Sequence, residues 1–231
     1  MSTDGLAFEP DLSAIDVDGA IAETASHTPL TRARLLKAGV GVGAAAIALS
    51  AAERADAAFA AGDVSILNYA LTLEYLQASF YTEAERVGAL RGRAQRAARV
   101  LGAVERAHVA ALQKALGPAA VGRPRFDFQG TTEDGQKFLK TAVAFEDLAV
   151  AAYKGQAPLI KSDGLLAAAI SIHSVEARHA AWMRHLFGIV PAASAFDQPE
   201  SRSRIVRVVE STHFIAARPK TTGKGAPHYT G

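Results

Sequence analysis

Two stretches of this 231-residue chain carry the same widely spaced pattern, a lone glutamate followed about thirty residues later by Glu-x-x-His. In the first copy the residues are Glu74, Glu105 and His108; in the second they are Glu146, Glu176 and His179. Few folds accommodate such a repeat. Glu-x-x-His sets its two side chains at i and i+3, which are neighbours on a helix surface. Each copy therefore reads as a helical hairpin that carries two carboxylates and one imidazole to a common level. The copies also agree around the lone glutamate. Leu73-Glu74-Tyr75-Leu76 runs beside Phe145-Glu146-Asp147-Leu148, and Tyr81 and Tyr153 each follow their Glu by seven residues. Seven residues is close to two helical turns, so Glu and Tyr share a face.

Apolar residues from Ile66 to Ala84 follow a helical rather than a strand period, and predict a first helix over residues 63–87 with Asp63 as its N-cap. A short Gly/Arg linker leads to a second helix over 93–116, stopped by Gly117-Pro118. Residues 117–130 include Arg123-Pro124-Arg125-Phe126-Asp127-Phe128, lack a helical period and form the one long connection. A third helix is predicted from Thr131 to Ala157, ended by Pro158, and a fourth from Gly164 to Phe187, ended by Gly188. Beyond Pro191 the sequence is mixed, with a short helix or strand expected around Arg202 to Val209 and a polar tail from Pro219.

These boundaries put the four glutamates at nearly equal distances from their hairpin turns, so they can share one layer. The long connection could stretch to about 46 Å at about 3.3 Å per residue, enough to run the length of a 24-residue helix of about 36 Å. The expected fold is all-α, a four-helix bundle with one long crossover and a short irregular C-terminal extension. Its expected segments are a leader at 1–60, the bundle at 61–190 and the extension at 191–231.

Buried carboxylates are costly unless they are paired or bound to a cation, and four of them converging would be severely unfavourable without one. Glu74, Glu105, His108, Glu146, Glu176 and His179 are accordingly the expected ligands of two metal ions. Glu105 and Glu176 are the bridging candidates, Glu74 and Glu146 are terminal, and His108 and His179 fall one to each metal. The alternative is a degenerate site held by protonation and hydrogen bonds. There are no cysteines, which excludes disulfides, thiolate metal sites and iron-sulfur centres. Carboxylates and imidazoles suit iron first, with manganese and zinc as alternatives.

Tyr81 and Tyr153 read as buried residues whose hydroxyls hydrogen-bond, with the ligand carboxylates as the functional acceptors and a radical relay as the weaker role. His173 is expected to pack or face solvent, its alternative being a place beside the ligands. Trp182, with Met183 and Phe187, packs the end of the fourth helix. A third Glu-x-x-His, Glu210 to His213, lies outside the four helices, lacks a partner Glu and reads as accidental.

Charge is uneven. Residues 1–60 carry 4 basic and 8 acidic side chains and residues 61–231 carry 21 and 15. Five arginines, Arg86, Arg91, Arg93, Arg96 and Arg99, crowd one stretch, but no aromatics interleave, so a solvated helix end is expected and no nucleic-acid partner.

Residues 1–30 fit a disordered acidic extension. Thr31-Arg32-Ala33-Arg34-Leu35-Leu36-Lys37, the uncharged stretch Ala38 to Ala52 and Ala58-Phe59-Ala60 then describe a basic segment, a short apolar segment and a small-x-small cleavage site. The basic segment resembles the twin-arginine export motif, with Ala33 in place of the second Arg. The stretch is short for a stable membrane span. Export to the periplasm or the exterior is the expectation; an uncleaved tether and a cytoplasmic protein with a helical arm are the alternatives.

From Asp63 to Gly188 the chain resembles the bacterial ferritin-like proteins often described as desiccation-related and frequently exported by the twin-arginine route. The resemblance rests on Ile66-Leu67-Asn68-Tyr69-Ala70-Leu71-Thr72-Leu73-Glu74-Tyr75, on Phe145-Glu146-Asp147 with Ala152-Tyr153, and on Val175-Glu176-Ala177-Arg178-His179. It implies a ferritin-like bundle with a metal site, and no single reaction. The ligand scheme matches the one known for that bundle class. The expected function is a di-iron oxidoreductase acting on Fe(II), O2 or peroxide in oxidative or desiccation stress. Its rivals are a non-catalytic stress or envelope-binding protein with a structural metal and, with less support, an iron-storage homo-oligomer.

Overall fold

The computed structural model describes residues 59–216. The leader before Phe59 and the polar tail beyond Ala216 lie outside the described residues, and with them the export-like segment. Within the described residues the fold is all-helical. Helix α1 spans Ala61–Val87, α2 Gly92–Leu116, α3 Gly135–Gln156, α4 Asp163–Phe187 and α5 Arg202–Ser211, with single 3-10 turns at Gly117–Ala119 and Ala157–Leu159. Helix α1 packs chiefly on α2 and α3 chiefly on α4, so the two sequence copies are two antiparallel hairpins. Among the described residues no helix is long and apolar enough to cross a membrane.

The helix ends follow local chemistry. Gly88 (φ 65°) and Gly188 (φ 87°) close α1 and α4 in the left-handed conformation, each returning its N–H to the last turn. At the start of α4, Ser162 Oγ accepts from the Leu165 N–H, and Asp163 sits in the first turn beside the positive end of the helix dipole.

Two expectations are corrected. The third helix begins at Gly135, not Thr131, because Asp134 Oδ1 accepts from the N–H groups of Gln136 (3.0 Å) and Lys137 (2.8 Å) and so fixes the N-cap. Just before it, Gln129 (φ 52°) and Gly130 (φ 73°) take left-handed conformations that no helix continues through. Asp63, read as an N-cap, instead lies inside the first turn of α1 and is buried. Its two carboxylate oxygens accept from the backbone N–H groups of Lys161 (2.9 Å) and Ser162 (3.0 Å), tying the α3–α4 turn to the start of α1.

The crossover runs up α1, and its contacts advance in step. Asn68 holds the backbone of Ala119 and Val121, Tyr75 donates to the Val121 carbonyl, Phe128 packs on Phe80 at 5.3 Å, and Thr132 donates to Glu83. Phe126 and Phe128 are fully buried, and the chain beyond α5 pairs with this segment through a single antiparallel bridge, Phe126 to Ile215. The ambiguous C-terminal stretch resolves as α5, capped by Ser201 and seated on the bundle through Ile205 and Val209. Just ahead of α5, the Glu200 N–H reaches the Ala151 carbonyl (3.1 Å). That approach requires Gly155, where a Cβ would collide with the Glu200 backbone.

Candidate metal centre

Each helix of the bundle delivers one buried glutamate to its middle. Glu74 comes from α1, Glu105 from α2, Glu146 from α3 and Glu176 from α4, all four with 0% exposure. His108 and His179, one turn beyond Glu105 and Glu176, are also buried. The structure brings all six together in two groups. One comprises Glu74, Glu105, His108 and Glu176, the other Glu105, Glu146, Glu176 and His179, and within each group one donor atom per residue lies within 4.8 Å of the others. Glu105 and Glu176 belong to both.

His108 Nδ1 lies 3.3 Å from Glu74 Oε2, 3.4 Å from Glu105 Oε2 and 3.1 Å from Glu176 Oε1. His179 Nδ1 lies 2.8 Å from Glu105 Oε1, 3.5 Å from Glu146 Oε2 and 4.0 Å from Glu176 Oε2. Despite the short separations, Glu74 Oε2, both Glu105 oxygens, Glu176 Oε1 and both Nδ1 atoms are buried without an aligned hydrogen-bond partner. Unpartnered buried polar atoms are rare and costly, and here they share one space. Donors held about 2.0–2.2 Å from a first-row dication stand about 3.0–3.5 Å apart from each other. Most of the separations found fall in or near that range. The donor set therefore fits a pair of metal ions.

The outer face of the layer is organised by residues one or two turns away. Tyr81 on α1 donates to Glu146 Oε1 on α3, and Tyr153 on α3 donates to Glu74 Oε1 on α1 at 2.5 Å. Each tyrosine thus serves the other hairpin, and each terminal glutamate spends one oxygen on a phenol and turns the other inward. Sequence reasoning missed Gln77, whose Nε2 donates to Glu146 Oε2 (3.1 Å) and Glu176 Oε2 (3.4 Å). The available signal was a buried amide one turn from Glu74 in an otherwise apolar run. Its counterpart in the second copy is Ala149, so the two halves are not equivalent. Outside the layer the hairpins are tied at matching positions by different chemistry. Gln113 donates to Tyr75 at 2.9 Å, and Arg184 forms a bidentate pair with Asp147 at 2.8 and 2.7 Å.

Without a metal, burial and mutual repulsion set the proton affinities of these side chains. Burial, then repulsion from Glu146, pushes Glu105 up to about 7. Burial followed by Glu105 and Glu74 drives Glu176 well above the usual carboxylate range. Burial pushes Glu74 up, but His108, then hydrogen bonds with Glu105 and Tyr153, together hold it below its ordinary value. Burial pulls both imidazoles down, but the surrounding carboxylates prevail, raising His179 to about 10 and His108 well above normal. Burial and the neighbouring carboxylates also raise Tyr81 and Tyr153 far above the ordinary phenol value, so both stay protonated donors.

The remaining candidates lie elsewhere. His173 is half-buried on α4 near Asp197 and Lys154, outside both groups. Trp182 packs half-buried against the core beside fully buried Met183. Glu210 and His213 are exposed at the end of α5 and in the turn beyond it, and the five arginines are exposed at the α1–α2 end.

Four helices, one crossover and a central layer of four glutamates and two histidines define a ferritin-like bundle with a candidate dinuclear site. The comparison with known families agrees: the model of the ferritin-like domain matches residues 62–188, and the chain belongs to that family. Among curated proteins none matches.

Proposed function

We propose that this chain is a carboxylate-bridged di-metal protein, di-iron by preference, that acts on Fe(II), O2 or peroxide. The observation that carries the reading is the pair of four-residue groups sharing Glu105 and Glu176, with six donor atoms left unpartnered around one space. Glu105 and Glu176 would bridge the ions. Glu74 with His108 would complete one position, and Glu146 with His179 the other. Bound there, an iron pair supplies two electrons for the reduction of dioxygen or peroxide; manganese or zinc suits the same ligands.

The chain's own residues do the rest. Tyr81 and Tyr153 fix the terminal glutamates by one oxygen each, and Gln77 adds a second hold on Glu146 and one on Glu176. Such outer contacts set ligand orientation and basicity. The raised proton affinities of His108, His179, Glu105 and Glu176 compete with cation entry, so metal binding releases protons. The apolar shell of the bundle limits water at this layer. With no cysteine in the chain, there is no built-in rubredoxin-like donor, so turnover as a peroxidase would draw its electrons from an external reductant.

The leader motif and the likeness to desiccation-related proteins support export and a role in oxidative or drying stress as part of the same proposal. Metal analysis on protein taken from its native compartment, with the mature N-terminus, tests both parts. Iron at two per chain, together with consumption of O2 or peroxide by the ferrous protein, is the expected outcome. Stoichiometric metal without turnover would reassign the site to a structural role, and an N-terminus retaining Thr31 to Ala60 would count against cleaved export.

A further inference from the structure

Away from the ligand layer, toward the end of the bundle where α1 and α4 begin and α2 and α3 finish, the helices do not close on one another. A narrow cavity of about 20 Å³ lies among Ile66, Tyr69, Ala70, Leu112, Ala152 and Ile172 and extends to Ile160 and Leu165. Its emptiness is written in the sequence. Ala70, Ala115, Ala152, Ala168 and Ala169, from all four helices, face into it, where close-packed cores place larger side chains.

None of the six ligands lines the cavity, but immediate neighbours of Glu74 do. Its inner wall includes Leu73, next to Glu74, and Tyr153, whose hydroxyl holds Glu74. Leu112 and Ile172 are each one helical turn from His108 and Glu176. At the outer end Ala115 and Ile160 are partly exposed. Hydrogen-bonding groups along the wall are few. Tyr69 offers one buried hydroxyl without a partner, Gln156 lies at the outer end, and the Tyr153 hydroxyl is committed to Glu74. A buried water needs two to four polar partners, and apolar cavities stay dry and take up apolar guests such as xenon.

The corresponding space at the opposite end is filled. Phe80 follows Glu74 by six residues, as Ala152 follows Glu146; Phe138 precedes Glu146 by eight, as Ile66 precedes Glu74. The Phe80 and Phe138 rings stack at 5.2 Å and close that end.

From this geometry we infer that the alanine-lined cavity is a docking and delivery site for dioxygen, reaching the centre from the Glu74–Tyr153 side. The inference rests on the proposed oxidant chemistry and narrows it. An apolar diatomic enters such a passage without loss, whereas hydrogen peroxide would shed hydrogen bonds that the wall cannot replace.

Xenon-pressurised crystals of the full chain, with stopped-flow oxidation of the ferrous protein at varied oxygen, test the inference. Xenon is expected in the cavity and not between Phe80 and Phe138. Ala152→Phe, which copies the first repeat, should expel xenon and slow the O2-dependent phase about tenfold, leaving metal content and the rate with peroxide unchanged. Ala169→Leu fills the same space from another helix, so the test survives if the first variant does not fold. Absence of xenon from the wild-type cavity overturns the inference. So does an O2 rate that stays constant in variants that exclude xenon. If xenon binds but the wild-type ferrous protein ignores O2, the oxidase reading fails and the delivery role with it, while gas binding itself stands.

Discussion

The two ends of this bundle are built from equivalent positions of one repeat and packed to opposite standards. At the end where α1 finishes and α3 begins, Phe80 contacts Tyr81, Phe128, Phe138 and Phe145 with ring centroids 5.1–5.4 Å apart. Phe214 adds a further layer against Phe128 and Phe145. The crossover and the chain after α5 deliver two of these rings. At the other end alanines face one another across a gap. Between them the ligand layer is nearly symmetric, two matching groups crossed by two tyrosines. Divergence lies in the outer packing, in the Gln113–Tyr75 and Arg184–Asp147 ties and at Gln77, while the six candidate ligands and the two tyrosines are duplicated. Aromatic packing is concentrated at one end and open space at the other.

The strongest test of the shared layer is Glu105→Ala. Because both groups use Glu105, this one change should empty both positions, while Glu74→Ala, which belongs to one group, should empty one. Metal content after purification, read by mass spectrometry, separates these outcomes. Equal losses from the two variants would mean that the positions are not joined as described.

Removing Phe80 should cost about 3–5 kcal/mol, the usual range for a buried Phe cut to Ala in a close-packed core. Ala152→Phe fills space rather than creating it and should cost no more than the roughly 1–3 kcal/mol of overpacking. Chemical denaturation of the metal-free protein compares them directly. If both variants lose the same stability, the contrast between the ends is not energetic.

Much of this arrangement is legible in the sequence. Repeat spacing, Gly and Pro stops and apolar periodicity are local signals, so four helices, their order and the long connection could be read with small errors at the boundaries. Convergence of the six residues at one level follows from the same spacing. Asp63 was misread because its partners, the backbone of Lys161 and Ser162, are distant in sequence, and a first-turn aspartate looks like a cap. The start of α3 falls later than its sequence suggests because the crossover keeps Thr131 and Glu133 in turns, and the Asp134 cap that ends them outcompetes helix propensity. Gln77 was passed over for the opposite reason: a single polar residue in an apolar run looks tolerated until its two carboxylate acceptors are seen. The Phe80/Ala152 exchange was visible in the aligned copies, but its meaning depends on what faces each position.

The ligand layer also has a pH signature that sets it apart from both ends. His179, raised to about 10 in the fold, contributes stability that is complete below its ordinary value and is lost as pH climbs through about 10. Glu105, raised to about 7, makes the metal-free fold less stable as pH rises from the ordinary carboxylate value to about 7. Glu74, depressed, adds stability that disappears only on acidification through its lowered value. The metal-free protein should therefore be most stable on the mildly acidic side of neutrality. Metal affinity should move the other way, rising about tenfold per pH unit for each proton displaced. Thermal scans with and without metal, and calorimetry in buffers of different ionisation heat, read the two slopes. Parallel slopes would show that these groups do not hold the protons assigned to them.

The smallest effect bears most directly on the inequality of the two halves. Tyr153→Phe removes the donor to Glu74 Oε1, and among the described residues no other side chain outside the ligand set holds Glu74 by a hydrogen bond. Tyr81→Phe removes the equivalent donor to Glu146, but Gln77 still grips Glu146 through its other oxygen. Loss of an outer partner typically weakens metal binding by about 10–100-fold. Tyr153→Phe should fall toward the upper part of that range at the Glu74–His108 position, and Tyr81→Phe toward the lower part at the Glu146–His179 position. Adding Gln77→Ala to Tyr81→Phe should then bring the second position down to match the first. Competition titrations with a metal-binding dye measure each step. If the double variant is no weaker than Tyr81→Phe alone, Gln77 does not support Glu146, and the two halves of the ligand layer are held equivalently.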